Sequence, residues 1–378
     1  MKTRTIQLGP HHYEFVCGHH SLVEFARHAA VRACDRFIII TDQGVPTEVL
    51  QPVHAALSGV GPTDVLRFPD GERHKSLITV NDLAERAIAA GADRRTAIVA
   101  LGGGLAGNIA GMVAGLLFRG LTFIQVPTTF MAASDSVLSL KQAVNLSSGK
   151  NLAGFYYTPT LVWVELSFLT ALAPRHIRAG MCELVKNLLA IAPERIPHFR
   201  RILHPQNRYT AAHLHELIDF CIDAKMSVML NDPYEKQAGL VLEYGHTVGH
   251  ALELAAGGRY LHGECIAFGM LCAAAVARRA RLLSDEEVDL HHELLQLIGI
   301  SIVPDPGFLD EVILRIRKDN KRGYRRQEPG RIPMVLLDGL GQIHREDEHV
   351  VTMVDTEWVE AAIRSQLAVE PETISLAQ

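Results

Sequence analysis

Several things are scarce in this chain of 378 residues, and each scarcity excludes something. There are only six cysteines, Cys17, Cys34, Cys182, Cys221, Cys265 and Cys272, and no CxxC pair among them. That spacing excludes a zinc ribbon and offers no disulfide framework, so the thiols are expected to be reduced and buried in a cytoplasmic protein. Long apolar runs are also missing: the longest, Cys265 to Ala277, is too short to cross a bilayer, and Met1 to Pro10 has no signal core. The expectation is a cytoplasmic, unprocessed chain with no membrane partner. Positive charge is not in excess. A formal net charge of -5 supplies no basic field, so no nucleic acid partner is expected. Repeats and low-complexity stretches are absent as well.

The remaining composition, 48% hydrophobic and 21% charged, is that of a globular protein long enough for two domains. The first half alternates strand and helix signals. Arg36–Thr41, Thr96–Leu101 and Leu121–Val126 are continuous β-branched or apolar runs, and Ile78–Ala90 and Asn108–Leu117 carry helical periodicity between them. Strands without polar alternation, separated by helices, predict a parallel sheet covered on both faces. After Phe168 the strand runs nearly vanish, and helical patterns dominate from Arg178 to Leu297. The predicted fold is therefore α/β over residues 1–171, followed by a mostly α-helical domain over 172–378, with the boundary near Leu172-Ala173-Pro174.

Chemistry concentrates between Glu243 and Glu264. His246 and His250 are four apart, so on a helix they share one face, with Cβ atoms roughly 5–6 Å apart. His262 follows in a short His262-Gly263-Glu264 turn before an apolar helix. Three protein ligands and an open position are what a catalytic zinc-like ion requires. Earlier, Gly102-Gly103-Gly104-Leu105-Ala106-Gly107-Asn108 lies where a strand gives way to a helix, so bare backbone N–H groups can approach a pyrophosphate. The order departs from the usual dinucleotide fingerprint, in which the glycines close the first strand and an acid follows about 20 residues on. Here the acid, Asp42, comes first. A dinucleotide bound here would sit in a different topology.

Taken in order, Gly71-Glu72-Arg73-His74-Lys75, the Gly102–Asn108 turn, Pro127-Thr128-Thr129, Lys141–Asn145, Gly149-Lys150-Asn151, Gly180–Lys186, Gly245–His250 and His262-Gly263-Glu264 resemble the motifs of the sugar phosphate cyclases, the dehydroquinate synthase-like family, over nearly the whole chain. The resemblance implies a bound NAD and one divalent metal, zinc or cobalt, with Glu183, His246 and His262 as the metal ligands. His250, the i,i+4 partner, would then face the substrate. NAD contacts map onto Asp42, Glu72, Lys75, Gly104, Gly107, Asn108, Thr128, Thr129, Asp135, Lys141 and Lys150. Substrate contacts map onto Lys150, Asn151, Lys186, Lys236, His250 and Lys321, with Arg119 reaching across the interface of a homodimer. Several cations converging on one phosphate ester make physical sense.

Two positions bear on which cyclase this is. Where dehydroquinate synthases carry an arginine that holds the substrate carboxylate, this chain has Gly239, and where they carry an asparagine it has Glu243. Losing a bidentate arginine argues against a carboxylated substrate. The run Asp135–Asn145, with Ser139-Leu140 in place of a glycine pair, closely resembles the 2-deoxy-scyllo-inosose synthases, whose substrate is glucose 6-phosphate. The implied reaction is transient oxidation at C4, loss of the C5 proton with phosphate elimination, re-reduction, ring opening and aldol closure. Glu243 is the expected base, with Lys141 and His250 as proton carriers. Such a product would feed aminoglycoside antibiotic synthesis. The alternatives are a dehydroquinate synthase or a sedoheptulose 7-phosphate cyclase, a metal-dependent polyol dehydrogenase, which would accumulate NADH, and a non-catalytic cyclase-like subunit. The segment 323–330 is a candidate lid.

Overall fold

The computed structural model describes residues 1–30, 32, 34–147, 149–300, 304–317, 324–326 and 328–367. Lys321 therefore lies outside the described residues, as do Gly323 and Gln327 of the expected lid. The chain forms two compact units: one comprises Met1–Gly180 and Arg208–Tyr234, the other Met181–Asn207 and Glu235–Gln378. A single boundary at 171/172 is simpler than this division. The chain leaves the first unit at Gly180 and comes back to it for the helix Ala211–Met229, whose residues Asp219 and Asp223 pair with Lys2 and Arg4 at the N-terminus.

The first unit is built on a seven-stranded sheet. Its strands are β1 (Lys2–Leu8), β2 (His11–Gly18), β3 (Arg36–Asp42), β4 (Thr63–Phe68), β5 (Thr96–Gly102), β6 (Thr122–Pro127) and β9 (Leu161–Glu165). They lie in the order β1-β2-β9-β6-β5-β3-β4, and every neighbouring pair except β1–β2 is parallel. The central strands β3, β5, β6 and β9 are buried almost throughout because both faces are covered, whereas β1, β2 and β4 toward the edges carry polar, partly exposed positions. Alternation divides the core: Ile38, Ile40, Ile98, Ala100 and Phe123 pack with Leu83 and Ile109, whereas Phe37, Ile39, Val99, Leu101 and Ile124 pack with Phe25, Val53 and Leu57. The first set meets the helices Leu77–Ala89 and Gly104–Leu116, the second Leu22–Ala30 and Thr47–Ser58.

A two-stranded hairpin of β7 (Lys141–Leu146) and β8 (Gly149–Tyr156) lies against the helix Gly104–Leu116. Its close approach needs bare helix positions. A Cβ on Gly111 would sit 2.3 Å from Gln142, and one on Gly115 would sit 2.3 Å from Phe155.

The second unit is mostly helical, as its sequence implies. It holds the later turns of Pro174–Ala190 and the helices His246–Ala255, His262–Arg279, Asp285–Leu297, Leu309–Ile316 and Thr356–Leu367. It also contains small antiparallel pairs absent from the sequence expectation: β10 (Arg331–Val335) with β13 (Val351–Asp355), and β11 (Leu337–Gly339) with β12 (Gln342–Ile343). β11 and β12 are too short to signal strands and β10 is interrupted by Pro333, whereas Val351–Asp355 carries an ordinary apolar strand pattern. His262 is the first residue of its helix and not part of a separate turn.

Candidate active site

In the first unit the sheet reverses its order between β3 and β5. From β3 the chain goes outward to β4, then crosses back to β5 and on to β6. In open α/β sheets the crevice outside the carboxyl ends of the strands at such a point receives the ligand. Asp42 ends β3 and Gly102 ends β5, so the acid and the glycine turn read from sequence meet there. Gly102 has φ +152°, and a Cβ on it would come within 2.7 Å of Ala106 and 3.2 Å of Asp42 Oδ2. The helix begins at Gly104, earlier than its periodicity suggests, so Gly104, Gly107 and Asn108 all lie in its first turns. Asp42 Oδ1 accepts from Gly44 N at 2.9 Å, and Arg67 braces the turn by donating to Val45 O at 2.8 Å. Burial, with a smaller contribution from Asp70, raises the Asp42 pKa.

The neighbouring motifs interlock. Asn108 donates to Gly104 O at 3.0 Å and accepts from Ala143 N at 2.9 Å, joining the glycine turn to the hairpin. Lys75 Nζ donates to Asn151 Oδ1 at 2.5 Å, and Lys150 Nζ is 3.1 Å from Glu72 Oε1. Asn145, which had no expected role of its own, donates to Glu72 Oε1 at 2.9 Å and accepts from Asn151 N at 2.9 Å. Thr128 N donates to Gly102 O at 2.9 Å, and Thr129 caps the short helix Phe130–Ser134. Asp135 pairs with Lys225 at 3.0 Å, a second residue the sequence did not flag. Lys141 is exposed at the start of β7.

In the second unit two helices are forced together by glycine. A Cβ on Gly269 would lie 1.9 Å from Gly245 O, and one on Gly249 would lie 2.7 Å from Ile266. Gly245, at φ +79°, is the N-cap of His246–Ala255. This crossing brings His246 and His262, from separate helices, to ring centroids 5.7 Å apart, and His250 lies 5.0 Å from His246.

Glu183 completes the cluster from the helix Pro174–Ala190. Its Oε1 is 3.7 Å from His246 Nε2 and 3.5 Å from His262 Nε2. Two ligands about 2.1 Å from one ion at a tetrahedral angle stand about 3.4 Å apart, so this spacing suits a shared ion better than hydrogen bonds. Glu183 is 1% exposed, and neither carboxylate oxygen has a hydrogen-bond partner of normal geometry. The far nitrogens of both histidines are occupied: His246 Nδ1 meets Tyr244 O at 3.1 Å, and His262 Nδ1 meets Glu253 at 2.9 Å. Both Nε2 atoms are thereby directed inward, the usual arrangement of ligating imidazoles. A divalent metal fits these residues. His250 also fits by distance, since ligand atoms of His246, His250 and His262 all lie within 4.8 Å of one another.

Electrostatics follow from burial. Lys186, one turn from Glu183 and almost as buried, ion-pairs with it and donates to Leu242 O at 2.7 Å. Burial raises the Glu183 pKa, but Lys186 and the two histidines outweigh it and hold the carboxyl well below its ordinary value. Burial and Lys186 hold His246 well below the ordinary histidine range. Burial lowers His262 too, yet Glu253 and Glu183 push it up to about 10. Glu253 went unread, although positions 246, 250 and 253 share one helix face. Glu243 ends a 3-10 turn, Ala238–Glu243, three residues before His246. Lys236 lines a cavity of about 500 Å³ with Gln237, Leu240, Tyr324 and His349. Arg119 is exposed, at φ +67°.

Comparisons with known proteins bear on the family. Residues 65–179 match the family model for the N-terminal part of 3-dehydroquinate synthase, and residues 180–322 match that for its C-terminal part. A 2-deoxy-scyllo-inosose synthase from Niallia circulans is 44% identical over 97% of this chain and 100% of its own length. One from Streptomyces kanamyceticus is 41% identical over 98% and 95%. A crystal structure of 2-deoxy-scyllo-inosose synthase complexed with carbaglucose-6-phosphate, NAD+ and Co2+ has a TM-score of 0.91 at 44% identity, covering 96% of this chain and 100% of that one. With both halves of the family model matched and full-length relatives above 40% identity, the chain belongs to the 3-dehydroquinate synthase family, in the company of the 2-deoxy-scyllo-inosose synthases.

Proposed function

We propose that this protein is a carbon–oxygen lyase that converts glucose 6-phosphate into 2-deoxy-scyllo-inosose and phosphate, with NAD and one divalent metal ion. The observation that carries the reading is the full-length likeness to a 2-deoxy-scyllo-inosose synthase whose crystal holds a glucose-6-phosphate analogue. Gly239 and Glu243, in place of the arginine and asparagine expected for a carboxylated substrate, support the same choice.

Glu183, His246 and His262 hold the metal in this reading, and the crevice at Asp42 and Gly102–Asn108 takes NAD. Bound there, the metal would lend Lewis acidity to a sugar oxygen and NAD would accept and return a hydride at C4. The remaining work falls to the chain. Lys150, Asn151, Lys186 and Lys236 bind the phosphate and its neighbouring hydroxyls. Once C4 is a ketone the C5–H is acidic, and Glu243 takes that proton as the C6–O bond breaks and phosphate departs with the bonding electrons. His250 and Lys141 move protons during ring opening and the intramolecular aldol closure. Glu72, Lys75 and Asn145 keep Lys150 and Asn151 in place through the bonds described above.

The protein acts as a homodimer to which Arg119 contributes across the interface; its exposure is consistent with this. A cytoplasmic setting is supported by six free, buried cysteines, and among the described residues no helix is long and apolar enough to cross a membrane. The product suits aminoglycoside antibiotic synthesis.

The test is a product assay with purified protein, NAD, cobalt or zinc, and glucose 6-phosphate, following phosphate and NADH absorbance together. Phosphate and a six-carbon carbocycle without net NADH are expected. Phosphate release only from the carboxylated seven-carbon substrate would make it a dehydroquinate synthase. Steady NADH accumulation without phosphate would make it a polyol dehydrogenase.

A further inference from the structure

His246 is held differently from His262. The ring of His262 is gripped by a carboxylate, that of Glu253, whereas His246 Nδ1 meets a backbone carbonyl, that of Tyr244. A carbonyl holds a ring only as firmly as its own peptide is held, and this peptide lies between a 3-10 turn and a left-handed glycine. The side chain of Tyr244 supplies the anchor. It is fully buried, and its hydroxyl lies 2.9 Å from Nε2 of His291, which is also fully buried. His291 Nδ1 in turn lies 2.7 Å from Glu287 O. Glu287 is fixed by its own carboxylate, which accepts from Ser284 N at 2.8 Å and Leu340 N at 3.1 Å.

Every donor in this chain is determined. A backbone carbonyl only accepts, so His291 Nδ1 carries the proton, its Nε2 accepts, and the tyrosine hydroxyl donates. Both rings are fully buried, and burial lowers the His291 pKa to about 4, so the imidazole is neutral at working pH. At the other end, Tyr244 O accepts from His246 Nδ1, leaving His246 Nε2 with its lone pair toward Glu183.

We propose that Tyr244 and His291 are positioning residues that fix the tautomer and orientation of His246 through this hydrogen-bonded chain. The inference rests on reading His246 as a metal ligand, and it deepens that reading by assigning the ligand's support.

The experiment strips purified protein of metal and titrates it with Co2+, reading the visible absorption of the bound ion, for wild type, Tyr244→Phe, His291→Gln and His246→Ala. Melting of the metal-free proteins is recorded alongside. Tyr244→Phe keeps the buried ring and removes only the hydroxyl; roughly tenfold weaker cobalt binding and an altered visible band are expected. His291→Gln, whose amide oxygen can still accept from Tyr244, is expected to retain more affinity than Tyr244→Phe. Wild-type affinity and spectrum in Tyr244→Phe would overturn the proposal, and a lowered melting point alone would assign the pair to packing. Wild-type cobalt binding in His246→Ala would instead overturn the metal reading beneath it. Should Tyr244→Phe fail to fold, unchanged cobalt binding in His291→Leu, which has no acceptor, would refute the proposal equally.

Discussion

Replacing Glu183 with Gln keeps the volume and removes the charge, which separates two roles of one carboxylate. In the metal-free protein Glu183 neutralises Lys186, and both side chains are 2% exposed. Removing one partner of a buried pair costs about 3–5 kcal/mol, because the other charge is stranded. Metal-free Glu183→Gln should therefore be less stable by about 3–5 kcal/mol in urea unfolding. On the proposed metal reading it should also bind cobalt at least tenfold more weakly, having lost the carboxylate of the three proposed ligands. The double variant Glu183→Gln/Lys186→Met removes both charges, and most of the stability should return while cobalt affinity does not. A Glu183→Gln protein that unfolds at the wild-type urea concentration and binds cobalt with wild-type affinity would refute both halves of this argument.

Other expectations follow from the same geometry. Glu243→Gln should lower phosphate release from glucose 6-phosphate by at least about a hundredfold while NAD binding, followed by fluorescence, is unchanged; full activity removes Glu243 from the mechanism. Gly269→Ala places a methyl group 1.9 Å from Gly245 O. The helices must separate, at a cost of about 3 kcal/mol or more, and cobalt affinity should fall with the melting temperature. Glu165, fully buried at the end of β9, accepts from His20 N, Ser21 and Ser167 at 2.7–3.1 Å. Burial raises its pKa, but the hydrogen bonds from Ser21 and Ser167 outweigh that and hold it below the ordinary value. Its contribution is therefore complete above the unfolded pKa, about 4.3, and lost as pH falls through the lower folded value. Glu165→Gln should destabilise by about 3 kcal/mol at pH 7, and its stability should fall less than that of wild type in acid.

The sheet was legible because its central strands are buried on both faces and carry no polar alternation to confuse them. The hairpin β7–β8 was not, since it mixes exposed Lys141 and Asn151 and half-buried Asn145 with apolar residues and takes its shape from the glycine face of another helix. In the site, the residues alone pointed to His246, His250 and His262; the proposed ligand set of Glu183, His246 and His262 came only from motifs that resemble a family. Glu253 was within reach of spacing, seven residues after His246. Tyr244, His291 and Lys225 were not: a tyrosine and a histidine 47 apart, or a lysine 90 residues from its aspartate, carry no local pattern. Their roles arise only when packing brings distant turns together.

The interrupted course of the first unit bears on how the protein is made. Synthesis proceeds from the N-terminus, yet the segment Arg208–Tyr234, which supplies the partners of Lys2, Arg4 and Asp135, emerges only after Glu183 has passed. The sheet can assemble before that point, but its last helix waits. A fragment ending at Gly180 would carry the crevice at Asp42 and Gly102 and still leave the Asp135 carboxylate without its lysine and β1 without its acidic neighbours. Docking that helix closes a loop of chain over residues 181–207, with Glu183 near its start, and carries the entropy cost of closing it.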